Sequence, residues 1–154
     1  MTANGHHIIR LEFSSAFEML DFVQVVSDHL ARGVGLDEDS LHWVSVAIRE
    51  SVINAIKHGN RMDARKKVSV SFQFSRSGVV VSIRDRGRGF DPEATPDPTL
   101  PENIHRPHGR GFLLMRAFVD RVEVEASRGG GSVVRLYKRV GAPAPPRGSS
   151  RRSA

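Results

Sequence analysis

The 154-residue sequence predicts an α+β fold of two layers, a mixed but mainly antiparallel sheet with helices gathered on one face. Three observations predict it. Apolar residues alternate at period two in short stretches at the start, middle and end of the chain, and recur at helical intervals between them. Two pairs of neighbouring strand-like stretches are joined by tight turns, "SRSG" and the glycines Gly129 to Gly131, the connection that antiparallel strands permit. The helical stretches are apolar along one side, so each needs a sheet face to cover.

Taken in order, "HIIRLEF" alternates loosely and reads as the first strand. Ser15 and Glu18 then have capping-box spacing ahead of Phe17, Leu20, Val23, Val26 and Leu30, the apolar side of a first helix. "GVGLDEDS" interrupts it, and its acids suit the start of the next helix. That second helix is expected from about Leu41 to Lys57, with Leu41, Val44, Ile48, Val52 and Ala55 on its buried side and Gly59 as a left-handed stop. "KVSVSFQF" and "VVVSIRD" make a hairpin whose second strand is the more buried. Residues 86–111 follow, holding Pro92, Pro96, Pro98, Pro101 and Pro107 and little periodicity, the composition of a functional lid or a disordered segment. "FLLMRAFVD" resumes a helix with Phe112, Met115 and Val119 on one side, and "RVEVEAS" with "SVVRLYKRV" closes the domain as a hairpin. The folded domain is expected to span residues 1–140. The tail, residues 141–154, contains only Gly, Ala, Pro, Ser and Arg, cannot bury a core, and is expected to be disordered.

Composition narrows the function classes. Hydrophobic content of 39% and charged content of 26% are those of a soluble globular domain. There is no apolar run of the ~20 residues that a membrane span needs, nor a signal-like stretch near Met1, so no membrane association and a cytoplasmic location are expected. The absence of cysteine excludes disulfides and thiolate sites. The net charge of +6 invites a nucleic-acid reading, but Arg147, Arg151 and Arg152 of the tail supply half of it. No basic stripe is interleaved with aromatic residues, so direct nucleic-acid binding is not expected.

Three constellations could carry chemistry. In "ESVINAIKHGN", Glu50, Asn54 and His58 fall four residues apart, which on a helix lines a carboxylate, an amide and an imidazole along one face. In "DRGRGF", Asp85 offers an acceptor at a strand end, and Gly87 and Gly89 let the backbone come close to a ligand. In "HGRGF", Gly109 and Gly111 open a helix whose unobstructed N–H groups suit an anion such as phosphate. This is neither a Walker A loop, since no G-K-[ST] follows, nor a dinucleotide fingerprint, since the βαβ context is missing.

In this order, an E-x-x-x-N helix, a strand ending in D-x-G-x-G and a proline-rich lid ending in G-x-G, the boxes resemble the Bergerat-fold ATP-binding domains. That group includes gyrase-type topoisomerases, histidine kinases and MutL, and the resemblance covers roughly residues 7–140. Within it, "RESVINAIKHGN" and "GFLLMRAFVDRVEVE" most resemble bacterial anti-sigma-factor serine/threonine kinases. The resemblance implies ATP and Mg²⁺ as cofactors. It implies that Asp85 accepts the adenine amine, that Gly87 and Gly89 pack the chain on the ring, and that Asn54 coordinates Mg²⁺. Glu50 would act as base toward an incoming serine hydroxyl, and His58 would sit at the pocket edge. Gly109 and Gly111 would present N–H groups to the phosphates, with Phe90 and Phe112 bordering the glycine boxes. Kinases of this family often carry an arginine just before the G-x-G, where this chain has Pro107 and His108; Arg106 and Arg110 are the nearest substitutes. The implied partners are a sigma factor, a STAS-domain antagonist phosphorylated on Ser or Thr, and a second copy in a homodimer. An alternative within the same fold is an ATP-binding regulatory module that sequesters partners without phosphorylating them.

Overall fold

The computed structural model describes residues 6–87, 115–117 and 119–141. Strand β1 (His7–Ser14) is followed by a 3₁₀ turn (Phe17–Met19), helix α1 (Leu20–Gly33) and helix α2 (Glu38–Asn54). A π-helical turn (Ala55–Gly59) continues α2, and the hairpin β2 (Lys67–Ser75) and β3 (Gly78–Arg84) comes next. Residues 115–117 are helical, and β4 (Arg121–Ala126) and β5 (Ser132–Arg139) form the second hairpin. Among the described residues the expected element order is thus realised. The sheet runs β1-β2-β3-β5-β4. Every pairing is antiparallel, so the parallel component of a mixed sheet is absent among the described residues.

The core lies between one sheet face and α2. Register places Leu11, Val70, Ile83 and Val134 in one row and Val81 beside Phe72 and Leu136 in the next. Because side chains alternate along a strand, these rows share a face, and Val70, Phe72, Val81, Ile83 and Leu136 are all buried. From above, α2 answers with Leu41, Val44, Ile48 and Val52, and the π-helical turn adds Ala55, the stripe the sequence predicts, each buried. Fully burying such a side chain is worth about 1.5–3 kcal/mol. The third helical segment joins this layer through Met115, whose sulfur lies 2.9 Å from Ser51 Oγ on α2. Helix α1 packs on α2, and Ser45 Oγ crosses to Asp28 Oδ1 at 2.9 Å. Near the far end of β5, buried Lys138 lies 3.5 Å from Asp120 and so ties β5 to the start of β4.

Four local expectations are corrected. Ser15 and Glu18 form no capping box: Ser15 Oγ donates instead to the Lys66 carbonyl, and the turn that follows has no side-chain cap. Phe17, placed in that 3₁₀ turn rather than in α1, is 43% exposed. Helix α2 starts at Glu38, ahead of Leu41, because Asp37 caps it, accepting from Ser40 N at 2.7 Å and Ser40 Oγ at 3.1 Å. At its other end the left-handed residues are Arg61 and Met62, not Gly59. The residues expected to form the lid beyond Gly87 and the tail beyond Gly141 lie outside the described residues.

The Ser40 backbone N–H holds the Asp37 carboxyl below its ordinary value of 3.8. A depressed folded-state pKa stabilises the fold above the unfolded value, and that contribution is lost as pH falls through the folded one. Asp37→Ala is therefore expected to lower Tm at pH 7 by more than at pH 3, whereas Asp37→Ser keeps a cap and removes the pH dependence; thermal scans at the two pH values check both.

Candidate functional site

Asp85 follows β3 directly and continues its alternation, so its side chain turns to the same face as Ile83 and is 5% exposed. Three glycines make room for it. A Cβ on Gly59 would stand 2.4 Å from Asp85 Cγ, one on Gly131 2.1 Å from the Asp85 carbonyl oxygen, and one on Gly87 2.0 Å from the Gly59 carbonyl oxygen. Gly131 also has φ +84, which favours glycine on conformational grounds. Gly59, expected as a helix stop, and Gly87, expected to yield space to a ligand, thus both serve protein packing around the carboxylate.

The carboxylate is held by backbone and by one hydroxyl. Oδ1 accepts from Gly87 N at 2.9 Å and from Ser132 N at 3.2 Å, and Oδ2 accepts from Ser132 Oγ at 2.7 Å. A carboxylate offers about four lone-pair sites. Three are filled, and the one left over is on Oδ2, so the group can accept one further donor.

Asn60 fixes this seat from below. It is fully buried, and its Nδ2 reaches Ser15 Oγ at 2.8 Å and the carbonyls of Lys66 and Lys67 at 3.1 Å each. Its Oδ1 accepts from Arg86 N at 2.7 Å. One amide therefore ties the end of α2, the end of β1, the start of β2 and the loop carrying Asp85. Neither Asn60 nor Ser132 is singled out by sequence reasoning. The "HGN" and "GGGS" stretches hold them, but nothing local marks an Asn or Ser whose partners lie tens of residues away.

Glu50 and Asn54 stand one α-helical turn apart on α2 and are half-buried. Among the described residues neither side chain has a hydrogen-bond or ion-pair partner, in contrast to Asp85. His58 does not continue their line in α-helical geometry: it falls in the π-helical turn, whose wider spacing shifts the phase, and is exposed. That turn closes through Asn60 N to the Ala55 carbonyl at 2.8 Å and Met62 N to the Ile56 carbonyl at 2.8 Å. Its effect is to deliver Gly59 to Asp85. Of the expected site, Glu50, Asn54, His58, Asp85 and Gly87 are placed. Gly89, Phe90, Arg106, Gly109, Arg110, Gly111 and Phe112 lie outside the described residues.

The placed residues fit the implied cofactors. Asp85 can accept one amine donor at a buried glycine-walled seat, which suits adenine. The side-chain oxygen of Asn54, unpartnered among the described residues, is a hard donor of the type that Mg²⁺ prefers, and Glu50 stands one turn before it.

An α+β sandwich with a buried acceptor at one strand end and a polar helix turn beside it defines a nucleotide-binding class of protein. A family model described as a histidine kinase-like ATPase domain matches residues 15–138, and the chain belongs to that family. The chain is 32% identical over 136 residues to the anti-sigma F factor of Bacillus subtilis (strain 168), covering 86% of this chain and 92% of the relative. It is 33% identical over 134 residues to the anti-sigma F factor of Geobacillus stearothermophilus, covering 84% and 90%. Among solved structures, the RsbU and RsbW domains of a Mycobacterium tuberculosis protein match with a TM-score of 0.64 at 19% identity. That match covers 90% of this chain and 34% of the larger one. The catalytic domain of the histidine kinase ThkA matches with a TM-score of 0.51 at 15% identity, covering 86% of this chain and 98% of the other. At such identities the structural matches establish the fold.

Removing the Asn60 amide strands the Arg86 N–H and the acceptors it serves. Asn60→Ala is expected to cost about 3 kcal/mol, measured by urea unfolding of the purified chain.

Proposed function

We propose that this protein is an ATP- and Mg²⁺-dependent serine/threonine kinase of the cytoplasm that also acts as an anti-sigma factor. In this reading it holds a sigma factor and phosphorylates a STAS-domain antagonist, working as a homodimer. The observation that carries the proposal is the unpartnered Glu50–Asn54 turn on the same helix whose end packs against Asp85. The relatives named anti-sigma F factor supply the biological direction. Among the described residues no helix is long and apolar enough to cross a membrane.

Each residue has a defined task. Asp85 accepts the adenine amine through the free site on Oδ2, while Ser132 and Gly87 keep its carboxylate oriented. Guanine carries a carbonyl where adenine has that amine, so it would face Asp85 with two acceptors and no proton between them. Asn54 supplies a neutral oxygen and Glu50 a carboxylate at the edge where the phosphates would lie. Bound Mg²⁺ would neutralise phosphate charge. Glu50 is the base that takes the proton of an incoming hydroxyl. Phosphoryl transfer is mostly positioning and charge stabilisation, so few side chains suffice.

With ATP, Mg²⁺ and a cognate STAS partner, phosphoserine or phosphothreonine is expected on the partner by mass spectrometry. Glu50→Ala is expected to lower that rate by about 10²–10⁴-fold while leaving ATP affinity within a few fold. Asp85→Ala is expected to abolish calorimetric ATP binding. Nucleotide-dependent partner release that is indifferent to Glu50→Ala would replace the kinase with the sequestering module. Folded protein giving no heat with ATP or ADP in the presence of Mg²⁺ would remove both.

A further inference from the structure

The sheet face turned away from the helices carries a groove that the nucleotide reading leaves unused. Arg84 and Arg86 flank Asp85 in sequence, and the alternation that buries Ile83 and Asp85 sends both arginines to the opposite face. Register sets Arg10, Ser71, Ser82 and Arg135 in one row across four strands, with Glu12, Ser69, Arg84 and Val133 in the next. Short serines form the floor and arginines the walls of a volume of 340 Å³. From Arg10 to Arg135 the row spans three strand spacings, about 14 Å.

Several donors of this groove are unspent. Among the described residues, the hydroxyls of Ser69, Ser71 and Ser82 make no hydrogen bond, and Arg10 and Arg86 have no acidic partner. Arg84 Nε is buried without a partner, and its Nη2 reaches the Arg128 carbonyl at 3.5 Å. A buried donor of that kind is unfavourable until an acceptor arrives. Charge is distributed unevenly as well. Toward β4 the arginines are matched, Arg121 with Glu123 and Arg135 with Glu125. On the β1–β3 side, Arg10, Arg84 and Arg86 face Glu12 alone among the lining residues.

We propose that this groove docks an acidic, extended peptide segment of a partner protein. Its carboxylates would pair with Arg10, Arg84 and Arg86, the planar donors suited to them, and its backbone carbonyls would accept from the serine hydroxyls. The guanidiniums are spread along an open trough rather than converging on a point, which fits a chain and not a small ion. A nucleic-acid strand fits less well, because no aromatic side chain lines the groove for base stacking. The inference goes beyond the nucleotide reading and does not depend on it.

Fluorescence anisotropy of the full chain with a labelled peptide of about ten alternating Glu and Ser residues, at low salt, tests it. Saturable binding is expected, weakened about tenfold by Arg10→Gln and by Arg84→Gln. Arg84→Lys, which keeps the charge and deletes the Nε–H, should also weaken it. The tail triple variant Arg147→Gln, Arg151→Gln, Arg152→Gln should bind as wild type. Absence of saturable binding, loss of binding in the tail variant, or equal displacement by an oligonucleotide of the same charge overturns the proposal. So does wild-type affinity in Arg10→Gln, which by itself decides the matter if circular dichroism shows that Arg84→Gln does not fold.

Discussion

The seat of one carboxylate organises this structure. Asp85 is polar and buried, a combination that is costly unless its oxygens are hydrogen-bonded. The chain meets that demand with two backbone N–H groups and the Ser132 hydroxyl. Those donors come close enough because Gly59, Gly87 and Gly131 carry no Cβ where one would collide. Three separate segments, the end of the second helix, the loop after β3 and the β4–β5 turn, are thereby locked to one another. The acceptor of the proposed site is thus also a structural keystone.

The irregular end of α2 follows from that constraint. A regular helix continued through residues 55–59 would present its side chains on a different phase, and the π-helical turn adjusts the phase so that a residue without a side chain meets Asp85. Asn60 then secures the turn to β1, β2 and the Arg86 backbone. Its buried amide has donors and acceptor both engaged, the condition under which a buried polar network rigidifies a fold. Up to Asn54 the helix is regular, and there it leaves Glu50 and Asn54 without side-chain partners among the described residues, on the helix whose end meets this seat.

The alternation of β3 divides labour between the two sheet faces. Ile83 and Asp85 belong to the buried, helix-covered side, whereas Arg84 and Arg86 belong to the open groove. The strand therefore connects two chemically different surfaces within four residues. A displacement of the Asp85 loop would move Arg86 as well, because the Arg86 N–H is anchored to the same Asn60.

Much of this was legible in the sequence. The order of elements, both hairpins and the buried stripe of α2 follow from periodicity and short motifs, which depend on neighbours a few residues apart, and the same motifs single out Glu50, Asn54 and Asp85 as candidates. Tertiary structure alone decided what these neighbours could not: that Ser15 bonds to the Lys66 carbonyl instead of capping a helix, that Gly59 serves packing rather than a left-handed stop, and that Ser132 and Asn60 complete the seat of Asp85. Ser132 lies 47 positions from Asp85 and Asn60 lies 26 from Arg86. Only closure of the sheet brings such pairs within hydrogen-bond reach, and no local pattern of residues encodes that distance.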